Sequence, residues 1–179
     1  SQGDVVGSSL VSSSEVLLFN AVSIPITGWS STVQMSNDTD TRVVSGQTTC
    51  ANSQTAGTSG TDAFCIFGTP TIDTHGSFVT NVTAGTNNNY YLISVPGYYL
   101  VSAHVTWSGS TTGFREIRIQ KSTNGGGAYS DVAIDSTTPT TFQTPVQVNK
   151  VLLLNAGDRI QAVIKQSSGG SLATVSDGN

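Results

Sequence analysis

The sequence predicts an all-β protein, an antiparallel jelly-roll sandwich preceded by an extended N-terminal arm. Three observations carry that expectation. Residues Tyr90–Trp107 hold two alternating patterns that meet at a Pro-Gly corner; short apolar runs separated by turn residues recur from Phe64 onward; and no segment sustains the 3.6-residue period of a long helix. Roughly eight short strands with polar loops between them suit two packed sheets.

Taken along the chain, residues 1–40 form the expected arm and residues 41–179 the head. In the arm, Val16, Leu17, Leu18, Phe19 and Ile24 are apolar anchors in a polar leader, and Pro25 stops a helix from running on to Ile26. The run is either a first strand of its own sheet or a segment that packs on a neighbouring subunit. Residues 46–62 read as a second, flexible segment. Strands are expected at 64–68, 77–83, 89–95, 97–107, 114–121, 129–135, 146–154 and 158–166, with a last one at 171–176. In the fourth of these, Tyr99, Val101, Ala103, Val105 and Trp107 share the better core face, and Tyr98, Leu100, Ser102, His104 and Thr106 share the other.

Turn chemistry marks the corners. Pro96 presets φ and Gly97 is expected at positive φ in a type II turn, Thr123–Gly127 suits a hairpin, and Asn155-Ala156-Gly157-Asp158 links two apolar strands. Asp158 is expected to accept a local N–H and to pair with Arg159 or a neighbour. Ile117 and Ile119 point to the core with Phe114 just before them, while Glu116 and Arg118 share the opposite face and Arg115 does not.

Composition narrows the function. Charged residues make up 10% of the chain, where soluble domains average about 25%. Seven Lys and Arg against eleven Asp and Glu leave no basic footprint for a phosphate backbone, so nucleic acid is not an expected partner. A membrane is not one either, since no run approaches the roughly 18 apolar residues of a span. The start, S-Q-G-D-V-V-G-S-S-L, lacks a basic and apolar leader, and loss of an initiator Met alone is the expected history. Cys50 and Cys65, with fourteen residues between them, either close a disulfide loop or stay unpaired, with Cys65 buried as a small apolar residue.

No catalytic constellation and no cofactor or metal site is expected. Asp73 and His75 share parity but lack a third ligand, His104 is a sheet-face residue, and Asp38 with Asp40 lacks the spacing of a calcium loop. No G-x-S-x-G elbow or P-loop occurs. Asn37-Asp38-Thr39 and Asn81-Val82-Thr83 are glycosylation sequons by pattern.

The blocks Tyr90/Tyr91, V-P-G-Y-Y-L-V-S-A-H-V, R-E-I-R-I-Q-K-S-T-N-G-G and V-L-L-L-N-A-G-D-R-I-Q-A-V resemble the trimeric jelly-roll heads of the complement globular-head and tumour-necrosis-factor superfamily, over residues 78–175. The C-terminal S-L-A-T-V-S-D-G-N departs from the aromatic-rich last strand of animal members and is closer to phage structural proteins with this jelly roll. The resemblance implies a homotrimer with Tyr90, Tyr91 and Tyr99 at axis or core contacts. It further implies a capsid decoration, or cement, protein on the outer surface of a virion, with the major capsid protein as partner. The competing expectation is a receptor-binding head that takes a host-surface glycan on Trp29, Trp107 or tyrosines.

Overall fold

The structure, a computed structural model, describes residues 43–50, 54–56, 59–80 and 89–175. Within them the chain is all β. Its strands are β1 (Gly46–Gln47), β2 (Thr55–Ala56), β3 (Ala63–Phe64), β4 (Ile72–Asp73), β5 (Phe78–Val79), β6 (Tyr90–Leu92), β7 (Gly97–Trp107), β8 (Arg115–Ser122), β9 (Ser130–Thr137), β10 (Thr144–Leu154), β11 (Arg159–Gln166) and β12 (Leu172–Val175).

A front sheet runs in the order β10-β7-β12-β2, and a back sheet in the order β5-β6-β11-β8-β9, with β3 also pairing β11. Every named pairing is antiparallel. Counting the eight strands β2, β6, β7, β8, β9, β10, β11 and β12 from one to eight, the sheets read 1-8-3-6 and 2-7-4-5. That order is the jelly roll: after the β8–β9 hairpin, each connection crosses from one sheet to the other.

The core lies between the sheets because strand alternation points apolar residues inward. From the front come Val105, Trp107, Val146, Val148 and Leu154; from the back come Ile93, Ile117, Ile119, Ile160 and Ile164. Arg115 shares the inward parity of Ile117 and is wholly buried. It is held there by main-chain carbonyls: its guanidinium donates to Ser110 at 3.0 Å, Thr112 at 3.1 Å and Phe114 at 2.8 Å. Arg118, on the other face, is drawn under the loop before β3 by Asp62 and also meets Glu116 at 2.9 Å and Asp131 at 3.2 Å.

Several expectations change. Gly97 does not take a positive φ. It opens β7 opposite Leu154, and a residue committed to a ladder is extended rather than left-handed. Within 46–62, expected as flexible, the described residues hold β1 and β2, and Cys50 bridges Phe67. β10 begins at Thr144, two residues early, because Pro145 stands in an edge strand, where a missing N–H is tolerated. In the Asn155–Asp158 turn Gly157 has φ 90°, and Asp158 accepts the Asn155 N–H at 2.8 Å and pairs at 2.8 Å with Lys121, the neighbour among the two partners expected.

Candidate self-association surface

β7 is apolar on both faces at its N-terminal end, and its register with β10 decides what the outer face presents. Tyr98 lies opposite Leu153, and Leu100 opposite Val151. These four side chains are 78%, 57%, 73% and 61% exposed respectively. Opposed residues in neighbouring strands sit about 5 Å apart, so the four form one contiguous ridge. Beyond it the face turns polar, with Ser102 opposite Asn149 and His104 opposite Gln147; the Gln147 amide donates to the Ser102 hydroxyl at 3.4 Å.

Covering the ridge removes about 400 Å² from water on one copy, worth roughly 10 kcal/mol gross at about 25 cal/mol per Å². Association itself costs about 4–15 kcal/mol, so the ridge suffices only as the centre of a wider contact.

Of the three tyrosines expected at axis or core contacts, Tyr91 and Tyr99 pack against the core. The Tyr99 ring packs on the core and its hydroxyl donates to the Val95 carbonyl, closing the corner before Pro96. Tyr91 stacks edge-on against Phe78, centroids 4.8 Å apart, beneath Gly46, where a Cβ would strike its ring. Burial raises the pKa of both hydroxyls above the ordinary tyrosine value. Tyr90 carries the Arg159 guanidinium 4.3 Å above its ring. The ridge residues Tyr98, Leu100, Val151 and Leu153 were missed in the sequence. The signal available was a strand whose supposedly polar face opens with two large apolar side chains, together with the unbroken V-L-L-L run at 151–154.

Asp73 is a loop-capping residue: its carboxylate accepts the N–H groups of Ser77 at 2.8 Å and Phe78 at 3.1 Å. His75 is engaged by its neighbour Thr74 at 2.8 Å. Among the described residues no group of three or more His, Cys, Asp or Glu is placed to hold a metal. Trp107 is fully buried and offers no platform to a sugar. Cys50 and Cys65 are joined, Cα atoms 5.6 Å apart. The arm residues Val16, Leu17, Leu18, Phe19 and Ile24, with Trp29, Asp38, Asp40 and both sequons, lie outside the described residues.

No family model matches the sequence, and no curated protein does. Among solved structures, the chain is similar to murine APRIL at pH 5.0, with a TM-score of 0.49 and 12% identity over 72% of this chain and 94% of that one. Murine APRIL at pH 8.0 gives a TM-score of 0.48 and 13% identity over the same shares.

Proposed function

We propose that this chain is a non-enzymatic structural protein that self-associates as a homotrimer through the outer face of its front sheet and decorates the outside of a phage capsid as a cement. The exposed ridge of Tyr98, Leu100, Val151 and Leu153 carries the reading, because a contiguous apolar patch on a sheet face marks a protein contact. The charge-poor, Ser/Thr/Asn/Gly-rich composition and the arm with its apolar anchors support the capsid role, the arm adding contact area on neighbours or on the shell.

Light scattering on the free protein should give three copies, and the pair Leu100→Glu, Val151→Glu should give monomers with the head still folded. Mixed with capsids stripped of minor proteins, the parent should bind at a fixed ratio and raise the melting temperature of the shell. A monomeric parent sinks the self-association. A trimer that ignores capsids and adheres to host cells or glycans replaces the cement reading with a receptor-binding one.

A further inference from the structure

At the end of the sandwich away from the ridge, three loops meet: 108–114 between β7 and β8, 138–143 between β9 and β10, and 167–171 between β11 and β12. They read S-G-S-T-T-G-F, T-P-T-T-F-Q and S-S-G-G-S, without one Asp, Glu, Lys, Arg or His. The loops are laced together. The Ser110 N–H donates to the Thr140 carbonyl at 3.3 Å, the Ser167 N–H to the Phe114 carbonyl at 3.2 Å, and the Phe114 N–H to the Ser167 hydroxyl at 2.8 Å. Gly109 and Gly113 lie so close to their neighbours that a Cβ would strike the carbonyls of Thr141 and Ser167 respectively, and Gly113 has φ 77°.

Beneath this charge-free end lies one cation. Arg115 is wholly buried, its Nε has no partner among the described residues, and its charge is met there by carbonyls and by no carboxylate. A buried charge without a counter-charge is costly, so an anion brought near it is favoured. The carbonyls also orient the loop above. In a planar trans peptide C=O and N–H point in opposite directions, so the Ser110 and Thr112 carbonyls that turn in to the guanidinium turn the Thr111 and Gly113 N–H groups out. Among the described residues neither N–H has an acceptor, and both residues are exposed. Outward N–H dipoles over a buried cation suit an oxyanion. Beside them stands an aromatic ring: Phe142 is 79% exposed, on the loop whose Thr140 carbonyl takes the Ser110 N–H, and the Thr140 hydroxyl accepts the Phe142 N–H at 3.2 Å. The electron-rich face of such a ring attracts the C–H groups of a sugar.

We propose that the 108–114 loop binds the acidic group, carboxylate or phosphate, of a saccharide whose ring stacks on Phe142. No carboxylate in the three loops repels the anion, and none of their side chains supplies a cation, so the attraction comes from Arg115 through the peptides it orients. The lacing holds the donors in place before the ligand arrives, which lowers the ordering cost of binding. The site does not rest on the self-association proposed above: Leu100 of the ridge is seven positions back along β7 from Trp107, about 23 Å away.

The test titrates the full chain, labelled with nitrogen-15, with glucuronic acid, glucose 6-phosphate, inorganic phosphate and glucose, and follows the amide resonances. Glucuronic acid or glucose 6-phosphate should shift Thr111 and Gly113 and saturate; inorganic phosphate should bind at least tenfold more weakly, and glucose not at all. Phe142→Ala should bring the acidic sugar down to the level of inorganic phosphate. Thr112 is exposed, so Thr112→Glu sets a carboxylate beside the two N–H groups without touching the core; it should weaken binding at least tenfold, and Thr112→Gln should keep it. Silence at Thr111 and Gly113 with all three anions overturns the site. Glucose bound as tightly as its phosphate, or Thr112→Glu binding like the parent, overturns the oxyanion; inorganic phosphate bound as tightly as both acidic sugars overturns the saccharide.

Discussion

Arg115 shows how one residue resolves a conflict between pattern and chemistry. Strand parity sends it inward with Ile117 and Ile119, and burial lowers its pKa from the ordinary arginine value. It stays because three carbonyls of the 110–114 loop converge on its planar fork, so it serves as the organiser of that loop. Arg115→Ala should cost about 3 kcal/mol or more in urea unfolding, and Arg115→Lys should recover little, since an ammonium cannot span the fork. Asp158 works through pH. Burial alone would raise its pKa, but the Asn155 N–H and the Lys121 ammonium outweigh that and hold it below the ordinary 3.8. A group depressed in the folded state stabilises fully above its unfolded pKa, and that stability is lost as the pH falls through the folded value. Asp73 is held low in the same sense, burial again being outweighed, there by the N–H groups of Ser77 and Phe78. Asp158→Asn should therefore be less stable than the parent at neutral pH and lose less further stability between about pH 5 and pH 2, as followed by thermal melts across that range.

The elements that could be read from the sequence were those long enough to repeat. β7 and β8 show their faces over eight or more residues, and the alternation alone places Val105, Trp107, Ile117 and Ile119 inside. β1, β2 and β4 have two residues each, too few for any period, and they form because distant partners hold them. Gln54 is the clearest case. Its carbonyl accepts from Thr174 of the front sheet at 2.9 Å, while its side chain takes the Ile66 N–H at 3.0 Å and donates to Phe64. Likewise Asp62 reaches Arg118 across 56 positions, a partnership no local pattern announces. The ridge was half legible: Tyr98 and Leu100 share a face on inspection, but their neighbours Val151 and Leu153 depend on the β7–β10 register. The disulfide closes residues 50–65 into a loop, a strap whose described strands are β2 in the front sheet and β3 in the back. Cys50→Ser with Cys65→Ser should lower stability by about 3 kcal/mol, the loop-closure value for this length, and remove the sensitivity of the parent's melting temperature to a dithiol.

At the scale of the molecule, the sheets are joined by more than their apolar faces. Lys121 of β8 donates to the Leu153 carbonyl of β10 at 3.3 Å, and Lys150 of β10 donates to the Val132 carbonyl of β9 at 2.8 Å. These ties pin β10, and with it half of the ridge, to the back sheet. If the ridge is an interface, stability depends on protein concentration: the parent's melting temperature should rise with each tenfold increase, and that of the Leu100→Glu, Val151→Glu pair should not, as differential scanning calorimetry would show. The closed strap has a mechanical consequence as well. A molecule pulled by its ends cannot pay out the chain between Cys50 and Cys65, so the oxidised protein hides on the order of 50 Å of contour length that the reduced protein releases. Under load the closed loop is a hard stop: force passes from Cys50 to Cys65 through the disulfide, and β2 and β3, which lie between them, are shielded from it.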